Sequence, residues 1–123
     1  MTNFVLKLQE TINRRRASRR RDSRLRLASR VFALLIVAVG VLDVISTNVS
    51  IAAGNMETNT IIVGLMAQLG AFWFLPKLAV HLTVAAFVMW LPSKRLVSKA
   101  RTCVIIYTLI IASNFYVANI AVA

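Results

Sequence analysis

Five residues bring chemistry into segments that are otherwise hydrocarbon: Asp43, Thr47, Lys77, His81 and Asn114. A charged side chain in the middle of a membrane span costs at least about 2.5–3.5 kcal/mol, so such residues face a bundle interior and find partners. Asp43 and Thr47 stand four apart, as do Lys77 and His81, and each pair therefore shares one helical face. Counting from the basic ends of the apolar runs, Asp43 lies twelve residues after Val31, Lys77 fourteen before Leu91 and Asn114 twelve after Thr102. At the helical rise these are depths of roughly 18, 21 and 18 Å. The expectation is one polar layer built from three helices, with an Asp43–Lys77 ion pair at its centre.

Two readings of that layer follow. A self-neutralising pair fixes helix register without a ligand. Alternatively, an aspartate and a histidine stacked along the membrane normal suit a proton or small-ion site, extended outward by Tyr116 and Asn119. Soluble-enzyme chemistry finds little support, because there is no Gly-rich phosphate loop and no Ser/His/Asp or Cys/His set beside a plausible aqueous cleft. No catalytic residue, cofactor or metal is expected. Asp43, His81 and Glu57 would be the only metal trio, and the depth count puts Glu57 in an outer loop, away from His81.

The elements that must position this layer follow from composition. The chain has 123 residues, 59% hydrophobic and 15% charged, too apolar for an ordinary soluble domain. Its formal charge is +11, and the basic residues crowd into the first thirty positions. Residues 1–30 read as a basic cytoplasmic arm and 31–123 as a membrane domain. The run 31–53 is long enough to span a bilayer, and "GNMETNT", Gly54 to Thr60, is a turn and cap segment leading into a new helix. The run 61–91 is too long for one straight span and too short for two. Pro76 predicts a bend near Leu75, giving a short interfacial or re-entrant helix over 60–71 and a second span over 72–91. Thr60, Gly64 and Gln68 would give the short helix a small polar packing face. "PSKRLVSKAR", Pro92 to Arg101, reads as a basic loop, and 102–121 as a third span.

The fold class expected is thus an all-α integral membrane protein of three transmembrane helices, with a short outer helix and an N-terminal basic amphipathic helix. Positive charge on the arm and on 92–101 places both on the cytoplasmic side, with the C-terminus outside. The cytoplasmic membrane of a bacterium or archaeon is the expected location. Trp73 and Trp90 would mark the two interfaces. A cleaved signal peptide over 1–53 is disfavoured by the length of the run and by Asp43. The lone Cys103 excludes an internal disulfide and a thiolate cluster.

The arm begins with an apolar stripe, Phe4, Val5, Leu8 and Ile12, followed by nine arginines in seventeen positions. Arg14, Arg15, Arg16, Arg19, Arg20, Arg21, Arg24 and Arg26 are candidates for binding anionic lipid or another polyanion. With no interleaved aromatics to stack bases, nucleic acid is the weaker of those partners. "RRAS", Arg15 to Ser18, is also a short basic-directed phosphorylation pattern.

Asp43-x-x-x-Thr47, Gly54, Glu57-x-Asn59, Lys77 and Asn114 together resemble an uncharacterised family of small polytopic membrane proteins catalogued as a domain of unknown function. Its outer turn reads Glu-x-Asn-Pro, and this chain has Thr60 where that family has proline. The resemblance covers 31–121, excludes the arginine arm and implies no activity. It implies that Glu57 and Asn59 belong with the polar cluster as the cap of the outer helix. The reading that results is a non-enzymatic accessory or scaffold subunit, in contact with the bilayer, with anionic lipids and with other membrane subunits or further copies of itself. Small residues such as Gly40, Gly64 and Ala112 suit such contacts. A small transporter or holin-like pore, and a membrane-tethered nucleic-acid binder, are the alternatives.

Overall fold

A computed structural model describes the backbone of residues 2–122, and the side chains of 1–3, 19, 122 and 123 lie outside the description. The described residues form four α-helices and one 3-10 turn. Helix α1 spans Thr2–Ala52, α2 Thr60–Leu69, α3 Phe74–Trp90 and α4 Lys94–Val122. The 3-10 turn, Gly70–Phe72, joins α2 to α3.

The arm is not an element of its own. Helix α1 runs unbroken for 51 residues from the arginine tract into the apolar run. Arginine is a good helix former, and neither glycine nor proline occurs before Gly40, so the change in composition near Val31 does not break the backbone. The helix stops at Gly54, whose φ of +90° suits a residue without a Cβ. The Gly54 N–H donates to the Ile51 carbonyl at 2.9 Å and the Asn55 N–H to the Ser50 carbonyl at 3.1 Å, the paired bonds of a Schellman end.

Along α1 the buried positions are Ser29, Ala33, Ile36, Val39, Gly40, Asp43, Val44, Ser46 and Thr47. Within them the series Ser29, Ala33, Ile36, Gly40, Asp43 and Thr47 steps alternately by four and three. That 3.5-residue period keeps one seam facing its neighbours and is the signature of left-handed helix packing. Helices α3 and α4 both pack along α1 and scarcely touch each other. Two apolar cores result. One joins Ala33 and Ile36 to Ala85, Val88 and Ala100. The other joins Val44 to Ile62 and Trp73.

The bend in 61–91 is sharper and earlier than Pro76 predicts. Helices α2 and α3 meet at 103°, and the break lies at Gly70–Trp73. Gly70 adopts φ +54° and ψ −124°, a conformation essentially closed to other residues. Pro76 sits in the first turn of α3, where a missing N–H costs nothing. The fold also turns Trp73 inward: it is 5% exposed, packed against Val44 and Ile62, and so is not an interfacial marker. Trp90, at the other end of α3, is 81% exposed. Helix α2 buries Ile62, with Leu65 and Met66 beside it, rather than the Thr60/Gly64/Gln68 face.

Residues 94–101 are helical, not a loop. Ser93 starts α4: its Oγ accepts the Leu96 N–H at 3.2 Å and its carbonyl the Val97 N–H at 2.9 Å. Helices α1 and α4 are each long and apolar enough to cross a membrane, and α2 with α3 qualifies only as one bent pair.

Candidate functional site

Helix α1 supplies the fixed side of the polar layer. Asp43 is 2% exposed, and its Oδ2 lies 2.6 Å from Lys77 Nζ. The lysine reaches it from the second turn of α3 and passes over the Trp73 ring, 5.7 Å from its centroid. The 103° bend makes this geometry possible, because it brings Trp73 and Lys77 together onto the same part of α1.

Asn114 does not bond to Asp43. Its Nδ2 donates to Ser46 Oγ at 3.1 Å and to Thr47 Oγ1 at 3.5 Å, about one turn further along α1. Ser46 is fully buried and donates in turn to the Asp43 carbonyl at 3.1 Å. The layer is therefore two linked sets, Asp43 with Lys77 and Ser46/Thr47 with Asn114. Sequence reasoning missed Ser46; its only signal is a position three residues after Asp43, and serine is common enough in helices that this says little.

His81 lies against α1 without meeting Asp43's carboxylate. Its Nδ1 bonds the Lys77 carbonyl at 2.8 Å, one turn back on its own helix. The ring packs edge-on to Tyr107 of α4, with centroids 4.8 Å apart. The other nitrogen, Nε2, is buried and has no partner among the described residues. Its close approach depends on Gly40, where a Cβ would stand 2.7 Å from His81 Cγ. Tyr107 was likewise not among the expected members of the layer, since a tyrosine in a span ordinarily suggests only packing.

The outer turn is tied to itself. Asn59 Oδ1 accepts the Ile61 N–H at 3.1 Å and so caps α2. Glu57 Oε1 accepts the Asn59 N–H at 2.8 Å. Although far from His81 in sequence depth, Glu57 shares a groove with it: a cavity of about 770 Å³ whose walls include Asp43, Glu57, Lys77, His81, Tyr107 and Asn114. Among the described residues, no three His, Cys, Asp or Glu side chains come close enough together to hold a metal ion. Tyr116 is exposed and does not line this groove.

In the arm, Arg14 pairs with Glu10 at 2.7 Å. Arg15, Arg16, Arg20, Arg21, Arg24 and Arg26 are exposed, and the side chain of Arg19 lies outside the described residues. The apolar residues Phe4, Val5, Leu8 and Ile12 are exposed as well.

Set against protein-family models, curated proteins and solved structures, the chain finds no match in any of the three.

Proposed function

We propose that this chain is a non-enzymatic accessory or scaffold subunit of a larger membrane assembly. In this reading it crosses the cytoplasmic membrane three times, through α1, α3 and α4, with α2 as a short interfacial or re-entrant helix on the outer side, the arm inside and the C-terminus outside. The observation that carries the proposal is the closure of the Asp43–Lys77 pair on itself at 2.6 Å, which needs no ligand, beside helices α3 and α4 that leave their shared side open. An open side at the level of a polar layer is suited to a further helix, because polar and small residues are what hold helices together in lipid. Purification of the full chain in mild detergent should recover a stable stoichiometric complex, with a second subunit or with copies of itself. Recovery of a lone monomer under conditions that preserve known complexes overturns the proposal.

A second reading, a proton or small-ion site, is favoured by one observation, the buried and unpartnered Nε2 of His81 beside the groove. Under that reading the reconstituted chain carries a proton or cation flux in liposomes, and Asp43→Asn abolishes it in liposomes that hold the same amount of helical protein. Absence of flux from the wild-type chain disposes of it.

A further inference from the structure

The feet of α1 and α4 hold a feature that the polar layer does not use. The continuation of α1 beyond its apolar half sets Arg20, Arg21 and Arg24 on one face, opposite Lys94 at the start of α4. Together they wall a cavity of about 540 Å³. A second cavity of about 280 Å³ adjoins it, sharing Leu25 and Lys94 and adding Phe32, Val97, Ser98 and Arg101.

Three independent features of this place call for an anion. Arg20 and Arg24 stand four apart, as do Arg16 and Arg20, and like charges at that spacing repel along a helix. Lys94 and Arg95 occupy the first turn of α4, where the helix dipole already presents positive charge, and no acidic residue occurs there to offset it. The cations of the two cavities also come from different helices, so packing α4 on α1 concentrates charge that nothing among the described residues lining either cavity neutralises.

The apolar walls identify the kind of anion. Leu25, Phe32 and Val97 run from the cationic cavity toward the apolar seam of α1, where half-buried Phe32 packs against the core. A free phosphate ion has no use for such a wall, whereas a lipid has a glycerol and acyl chain to lay along it. Arg101 lies seven residues beyond Lys94, about 10 Å along the helix and on the same face, so with Arg20, Arg21 and Arg24 the two adjoining cavities offer five cations, more positive charge than one phosphate offsets. We infer that the cleft between Arg20, Arg21 and Arg24 of α1 and Lys94 and Arg101 of α4 binds a phospholipid whose headgroup carries two phosphates, as basic pockets between spans do.

This inference rests on the membrane reading above and is tested separately from it. The full chain, reconstituted in neutral phosphatidylcholine vesicles, first reports membrane residence by resistance to alkaline extraction, a result that does not depend on headgroup. The same protein in detergent is then exposed to cardiolipin or to phosphatidylglycerol at matched negative charge, and retained lipid is measured by native mass spectrometry. Cardiolipin should be retained at least about tenfold better. The double variant Arg24→Gln/Lys94→Gln should lose that preference, while Lys7→Gln/Arg30→Gln, which lines neither cavity, should keep it; circular dichroism checks that each remains helical. Equal retention of the two lipids, or equal losses in both double variants, overturns the proposal in favour of diffuse charge. Displacement of cardiolipin by millimolar inorganic phosphate at constant ionic strength overturns the lipid source and leaves a phosphate site.

Discussion

Lys77→Met is expected to destabilise the helical unit by about 3–5 kcal/mol, because it leaves a carboxylate buried without its partner. The Asp43 side chain is 3% exposed, so water cannot take over the role of the ammonium group. Asp43→Asn should cost less, toward the lower end of that range. The Lys77 side chain is 17% exposed on the groove and keeps its contact with the Trp73 face. The double variant Asp43→Asn/Lys77→Met should recover a large part of the loss, since no isolated charge then remains in the interior. Reversible unfolding in bicelles for the wild type, the two single variants and the double variant supplies the cycle. A coupling of about 0.5–3 kcal/mol marks an interacting pair. Strictly additive costs would mean that the contact contributes nothing.

The second large effect is expected at Gly40. A methyl group there meets His81 Cγ at 2.7 Å and Cδ2 at 2.8 Å, with Cβ at 3.1 Å, so the clash falls on the root of the imidazole rather than on a freely moving tip. The ring cannot easily retreat, held by its bond to the Lys77 carbonyl and by Tyr107 on its other side. Gly40→Ala should therefore force α3 away from α1 and cost about 1–3 kcal/mol, and Gly40→Leu more. Removing the ring relieves the overlap. Gly40→Ala/His81→Ala should be closer to His81→Ala than Gly40→Ala is to the wild type, as measured by the same unfolding assay. If His81→Ala brings no relief in the Gly40→Ala background, the close approach at this crossing is not what limits the packing.

How much of this was readable in advance differs from residue to residue. The all-helical character and the turn after α1 were legible because Gly54 and the cap-rich residues that follow act locally: a glycine with positive φ ends a helix whatever packs around it. That Lys77 and Asn114 reach α1 within about one turn of each other follows from helical rise alone. The direction in which each side chain leans does not, and for that reason Asn114 turns to Ser46 and Thr47 while Lys77 turns to Asp43. The bend was misplaced because proline is conspicuous in sequence yet silent in a first turn, whereas Gly70 is an ordinary glycine until its backbone angles are known. The start of α4 was misplaced for a related reason. Four cations in "PSKRLVSKAR" look like a loop, but charge does not break a helix, and the decisive residue was the neutral Ser93. Trp73 shows the limit most clearly, since only a sharp turn between two helices can carry a residue from a segment's apparent end into its core.

The unbroken run of α1 has a mechanical meaning. Its 51 residues make a rod of about 76 Å, much longer than the roughly 30 Å of a bilayer's hydrocarbon. Kinks need a proline, a glycine or an interrupted ladder, and α1 has no glycine before Gly40 and no proline at all. Up to Gly40 it is a lever without a hinge. Leaning the arginine end by 10° about the level of Val31 sweeps its tip through about 8 Å and must tilt Ile36 on the other side of the pivot, because neither glycine nor proline lies between them to absorb the motion.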